Sequence, residues 1–279
     1  MISLEESQAH CRNIAKKRAK NFYYSFVLLS DEKKNAMCAM YAFMRYCDDL
    51  SDEPGATRTA MDRWREALTE AFAGRPDSGP IWPAFLDAVT RYRIPHEYFY
   101  DMIEGVASDL EVQIIHTFDE LYQYCYRVAS VVGLTTIHIF GFDSATALPL
   151  AEKCGIAFQL TNILRDVRED TGLGRVYIPS EDLDRFGVRL EDLKQSQRTE
   201  AFDSLMEFEI ARARNYYMES APLIDLIHAD SRASLRALIA IYHELLERIA
   251  ESPSDVLMRR ISLSTFEKVW IVLRSAAGF

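Results

Sequence analysis

Ten stretches of this chain place apolar residues at i, i+3, i+4 and i+7, the spacing that lines one face of an α-helix. They cover residues 3–18, 31–51, 58–73, 81–92, 96–108, 118–140, 145–170, 199–226, 232–251 and 264–276. No clear run alternates with the period of a strand, and no repeat of 20–50 residues is evident. Breaks fall at Pro54-Gly55, Gly74 to Pro76, Ser78-Gly79-Pro80, Pro95, Gly141, residues 172–179, Gly187 and Pro253. With 11 Gly and 9 Pro in 279 residues, the chain has too few breakers for a many-turned β-protein, and its 49% hydrophobic content supports a sizeable core. The pattern predicts one all-α domain over residues 1–279, with no shift in composition to mark a boundary.

The net charge is −10 and the pI near 5.2, which argues against a nucleic-acid binder and against a protein of anionic membrane surfaces. The basic run Lys16-Lys17-Arg18-Ala19-Lys20 is a short local exception. Cys11, Cys38, Cys47, Cys125 and Cys154 are odd in number, scattered and without CxxC spacing, so they are expected as reduced core thiols. Glu5 and Glu6 near the start, and the lack of an apolar segment there, argue against a secretory signal. Residues 128–142 are too short and too polar to span a bilayer. A cytoplasmic protein is expected.

Two aspartate pairs carry the chemistry. Asp48 and Asp52 precede Pro54-Gly55, and Asp166 and Asp170 precede Thr171-Gly172, so both pairs fall in the last turn of a helix. The helix dipole already places partial negative charge there, and like charges at i,i+4 repel. A chain that does this twice is expected to have a cation that offsets it. Tyr41, Arg45, Asp48 and Asp52 have offsets 0, 4, 7 and 11; Gln159, Asn162, Asp166 and Asp170 have offsets 0, 3, 7 and 11. At about 100° per residue each set returns to one narrow face. Two polar ladders opposed across a cavity would form an oxygen-rich negative patch.

Such a patch suits Mg²⁺, which takes carboxylate oxygens and waters and completes its shell with substrate phosphates. The absence of His and Cys from the ladders argues against zinc. Arg45 and Arg165 lie on or beside the ladders, and Arg175 follows in Gly174-Arg175-Val176-Tyr177. Arginine beside acid suggests a metal-bridged diphosphate. Asp49, Glu53 and Glu169 point elsewhere on their helices, and Arg168 reads as an ordinary salt-bridging residue. Replacing Asp48 or Asp166 by Ala is expected to abolish turnover and to spare the fold.

The chain resembles the head-to-head prenyl synthases, that is squalene, presqualene diphosphate, dehydrosqualene and phytoene synthases. The likeness runs from Asn21-Phe22-Tyr23-Tyr24-Ser25-Phe26 through Tyr41-Ala42-Phe43-Met44-Arg45 and Asp48-Asp49-Leu50-Ser51-Asp52-Glu53. It continues in Tyr124-Cys125-Tyr126-Arg127-Val128-Ala129-Ser130-Val131-Val132-Gly133, the second ladder and Arg175-Val176-Tyr177-Ile178-Pro179. Tyr242 and Asp255-Val256-Leu257-Met258-Arg259-Arg260 close the set. Lys20-Asn21 stands where family members often carry a serine or histidine pair.

The resemblance implies an isoprenoid-synthase helical bundle around a central apolar cavity. Asp48, Asp52, Asn162, Asp166 and Asp170 would hold Mg²⁺. Arg45, Arg165 and Arg259 would contact diphosphate, Tyr41 and Tyr242 would be either cavity hydroxyls or core tyrosines, and Gln159 would be a polar anchor. Phe22, Phe26, Val128, Val132, Leu160 and Ile163 would keep the reacting cation dry. Small residues at Ala129, Ser130 and Gly133 would either admit a prenyl chain or pack helices tightly. The implied reaction joins two farnesyl diphosphates (C15) to presqualene diphosphate or squalene, the last step needing NADPH. The alternatives are phytoene synthesis from two geranylgeranyl diphosphates (C20), or a non-catalytic assembly factor on the same fold. A greasy product also implies transient membrane contact.

Overall fold

Side-chain caps set where the helices begin. In a computed structural model, Ser3, Thr57, Thr117, Thr199 and Ser264 each accept a hydrogen bond from a backbone N–H one turn on; Ser3–Glu6 and Ser264–Glu267 close reciprocal capping boxes. Each cap precedes one of the periodic stretches, so local chemistry and apolar pattern agree. The structure describes residues 2–19, 22–52, 57–110 and 114–278, with the Asp52 side chain outside that set. The Glu53-Pro54-Gly55 stop and Lys20-Asn21 therefore lie outside the described residues.

The helices in order are α1 (Leu4–Arg18), α2 (Phe22–Phe26), α3 (Asp31–Asp52), α4 (Arg58–Phe72), α5 (Trp82–Tyr92), α6 (Glu97–Ser108), α7 (Phe118–Cys125) and α8 (Val131–Phe140). Then come α9 (Ala147–Gly172), α10 (Ser180–Phe186), α11 (Leu190–Lys194), α12 (Glu200–Ser220), α13 (Leu223–Leu226), α14 (Ala229–Glu251) and α15 (Thr265–Ala276). Among the described residues there is no strand, only two isolated bridges, Ile114 with Val176 and Phe142 with Ile227. No helix of the described residues is long and apolar enough to cross a membrane. All five cysteines are buried free thiols.

Two expected helices are interrupted. Residues 118–140 are broken by a π-helical turn at Tyr126–Ser130, and residues 199–226 break at Ala221-Pro222 between α12 and α13. The short α2, α10 and α11, and a 3-10 turn at Pro253–Leu257, carry too few residues for a periodic signal.

Two apolar clusters form the core. One joins α1, α3, α5, α6 and α8, with Phe43 stacked on Phe85 at 4.5 Å. The other joins α9, α12 and α14. The C-terminal half of α9 belongs to the second cluster while its start packs in the first, so this 26-residue helix runs through both. A cavity of about 510 Å³ opens between α3 and α9. At the α8–α9 crossing the backbones meet closely: a Cβ on Gly155 would lie 2.5 Å from Ser130 Cα, and one on Gly133 3.0 Å from the Ala151 carbonyl oxygen. Ser130 Oγ also donates to the Glu152 carbonyl at 2.8 Å. The small residues thus pack helices, and Ala129 and Gly133 line the cavity as well.

Candidate active site

The cavity is apolar along its body and charged at one end. Phe22 and Phe26 of α2, Val128 and Val132 about the π turn, and Ile163 of α9 face the apolar part. Leu160 does not: it is buried at 2% exposure on the core side of α9, about 100° round from Gln159, and is corrected from the expected wall.

At the polar end α3 contributes Tyr41, Asp48 and Ser51, and α9 contributes Gln159, Asn162, Arg165, Asp166 and Asp170. Arg175 enters from the loop after α9 and Tyr242 from α14. Nine of the residues singled out from the sequence, Tyr41, Asp48, Gln159, Asn162, Arg165, Asp166, Asp170, Arg175 and Tyr242, therefore surround one space. Asp52 ends α3, but its side chain lies outside the described residues.

Two expected residues lie elsewhere. Arg45 turns along α3 to Asp49, an ion pair at i,i+4, and does not line the cavity. Arg259 pairs with Asp255 at 2.7 Å, is 72% exposed and does not face the site. Its neighbour Arg260 takes that place, with Nε 3.0 Å from Asp166 Oδ1 and Nη1 3.4 Å from Glu169. Arg168 donates to the Met258 carbonyl, which ties the segment bearing Arg260 to α9.

Asp109, at the C-terminal end of α6, is a site carboxylate that the sequence argument did not single out. It accepts the hydroxyls of Tyr177 at 2.8 Å and Tyr124 at 3.2 Å, and those two rings stack at 4.8 Å. The signal was present: like the paired aspartates, it is an acid at the wrong end of a helix.

The electrostatics follow from this crowding. Burial and then Asp166 push the Asp170 carboxyl up to about 7; Arg175 opposes them, and Asp109 and Glu169 add to the rise. Burial pushes the Tyr41 hydroxyl up to about 12, so it is protonated at neutral pH. Arg165, only 11% exposed at its side chain, makes a two-pronged pair with Asp166.

Several features suit a divalent cation. Asn162 Oδ1 is buried without a hydrogen-bond partner, while its Nδ2 lies 3.3 Å from Gln159 Oε1. Among the described residues no three His, Cys, Asp or Glu side chains close into a ready cage. An open set of oxygen donors is what Mg²⁺ accepts when waters and phosphate oxygens fill the remaining positions.

One expectation about stability is corrected by the Arg165 pairing. Asp166→Ala would strand a guanidinium inside the protein. We expect a loss near the lower end of the ~3–5 kcal/mol typical of removing one partner of a buried pair, because Asp166 keeps some solvent. Urea unfolding of the variant measures this, and an unchanged midpoint would mean that Arg165 finds another acceptor.

Residues 15–267 match the squalene/phytoene synthase family. The chain is 35% identical over 284 residues to a 15-cis-phytoene synthase of Synechococcus elongatus, covering 96% of this chain and 92% of that one. It is 36% identical over 280 residues to a phytoene synthase of Arthrospira platensis, covering 95% and 90%. A crystal structure of a dehydrosqualene synthase with bound ligand superposes with TM-score 0.91 at 32% identity, covering 99% of this chain and 97% of the other. A squalene synthase of Alicyclobacillus acidocaldarius superposes with TM-score 0.84 at 27% identity, covering 90% and 95%. The helical bundle is thus the isoprenoid-synthase fold, and an apolar cavity with a carboxylate- and arginine-lined end fits an amphiphilic diphosphate. By sequence and by fold, the chain belongs to the squalene/phytoene synthase family of head-to-head prenyltransferases.

Proposed function

We propose that the enzyme joins two geranylgeranyl diphosphates head to head into phytoene, releasing two diphosphates. The observation that carries this choice is the likeness, over nearly the whole chain, to relatives named phytoene synthases. It displaces the C15 preference drawn from the sequence. The farnesyl reading remains the second one because the dehydrosqualene synthase structure superposes at TM-score 0.91.

Asp48, Asn162, Asp166 and Asp170, with Asp52, would hold Mg²⁺, which when bound neutralises the diphosphate and favours its departure. Arg165, Arg175 and Arg260 would bind diphosphate oxygens. Arg165 and Arg260 both rest on Asp166, so substrate binding would exchange that carboxylate for phosphate. The walls of Phe22, Phe26, Val132 and Ile163 would exclude water from the allylic cation left behind, since water would quench it as an alcohol. Aromatic faces of Phe22, Phe158 and Tyr242, in contact at 5.6 and 4.4 Å, offer a cation a negative quadrupole. Attack by the second donor's double bond, with loss of a proton as the three-membered ring closes, gives a cyclopropylcarbinyl diphosphate. A second ionisation and rearrangement then give the 1′–1 linked product. Phytoene forms by loss of a proton, whereas squalene would require a hydride from NADPH.

Incubation with C15 or C20 donor and Mg²⁺, with and without NADPH, tests the assignment by product analysis. We expect a C40 hydrocarbon from the C20 donor, unaffected by NADPH. Exclusive use of the C15 donor would overturn the choice, and no diphosphate release from either donor would favour a non-catalytic role.

A further inference from the structure

The last helix carries its apolar residues on the wrong side. In α15, Phe266, Val269, Trp270 and Leu273 are 79%, 40%, 55% and 58% exposed. At about 100° per residue they fall within an arc of about 100°. The opposite face does the packing: Ser275 is buried, Ile271 rests on the core and Lys268 lies over the Tyr24 ring. The outward stripe is therefore only partly covered by the protein, and two large aromatic side chains remain more than half in water.

Basic residues adjoin this stripe. Arg274 is exposed on α15 itself. α15 packs on α2, whose first turn is joined to the end of α1 by the Tyr23 N–H donating to the Ala19 carbonyl at 2.8 Å. The last turn of α1 carries exposed Lys16, Lys17 and Arg18. Phe22 and Phe26 on the inner side of α2 line the cavity. Through α2, the helix that bears the exposed aromatics is thus joined both to the basic end of α1 and to the cavity wall.

From this juxtaposition we propose that α15 docks the protein on an anionic lipid bilayer, its stripe in the headgroup boundary and the basic end of α1 against the lipid charge. Aromatic residues on one helix face beside Lys and Arg are the composition of interfacial helices. The overall charge of −10, which taken alone argues against an anionic surface, is outweighed here because fields in physiological salt decay over about 8 Å and the local cations dominate at contact. A second copy of the chain fits less well. Four side chains on a 12-residue helix fall far short of the roughly 800 Å² per partner of a stable interface.

Vesicle flotation without substrate tests the docking separately from the catalytic assignment. The intact chain should float with phosphatidylglycerol/phosphatidylcholine vesicles and bind pure phosphatidylcholine at least fivefold more weakly. Trp270→Glu/Leu273→Glu should lose at least tenfold in vesicle affinity with an unchanged circular dichroism spectrum and unchanged turnover of detergent-dispersed substrate. Lys16→Glu/Lys17→Glu should lose the preference for anionic vesicles. No vesicle binding, binding that survives the Trp270/Leu273 change, or an α15-dependent dimer in sedimentation instead of flotation would each overturn the proposal.

Discussion

Asp170→Asn is expected to lower turnover by about 10²–10³-fold, the range for loss of one preorganised electrostatic group, while making the metal-free protein more heat-resistant at pH 8. The two effects share one cause. Asp170 is largely buried beside Asp166, Asp109 and Glu169, with Arg175 opposing them, and burial first and Asp166 second push its carboxyl from 3.8 up to about 7. A folded-state pKa above the unfolded one means that the folded chain holds the proton more tightly. The stabilisation is therefore complete below about pH 4 and is lost as pH rises through 7. Asparagine removes that loss. Thermal melts of metal-free protein at pH 5 and pH 8 should show wild type losing more than the variant between the two, and Mg²⁺ with diphosphate should restore wild type alone. Near-normal turnover in the variant, or parallel pH dependence of both proteins, would count against Asp170 as a metal-holding carboxylate.

Gly155→Ala should be damaging although it adds a single methyl group. In an isolated helix this change gains about 1 kcal/mol of propensity. Here the new Cβ would meet Ser130 Cα at 2.5 Å and the Ala129 carbonyl oxygen at 2.8 Å. Both are backbone atoms of the π turn, which cannot rotate aside as a side chain would. Overpacking of this kind costs about 3 kcal/mol, so a net loss of about 2 kcal/mol is expected, or about 3–4 °C in Tm for a chain of 279 residues. Because Ala129 and Val128 face the cavity, the same shift should raise KM. Differential scanning calorimetry and steady-state kinetics measure the two effects, and a Tm equal to or above wild type would show that the π turn and α9 can separate.

These outcomes mark how far the sequence could be read. Helix existence was legible because apolar period and capping are local: Ser264 and Glu267 sit three residues apart and need no distant partner. The acid ladders were legible for the same reason, since Asn162, Asp166 and Asp170 share a face wherever α9 is placed. The break at Tyr126–Ser130 was not, because a π turn keeps an apolar period nearly intact while one residue is inserted. Arg260 replaced Arg259 because both follow a 3-10 turn in irregular backbone, where no period relates neighbouring side chains to a face.

The sequence alone determined that the chain would be helical and that acids would gather at helix ends, because helical geometry converts spacing directly into direction. Only the tertiary structure decided which charges meet. It sent Arg45 to Asp49, joined Arg165 and Arg260 on Asp166, and brought Asp109 from α6 beside Asp170. Those pairings join residues from separate helices or compete within one, and long-range packing rather than local spacing sets the distances that choose among them.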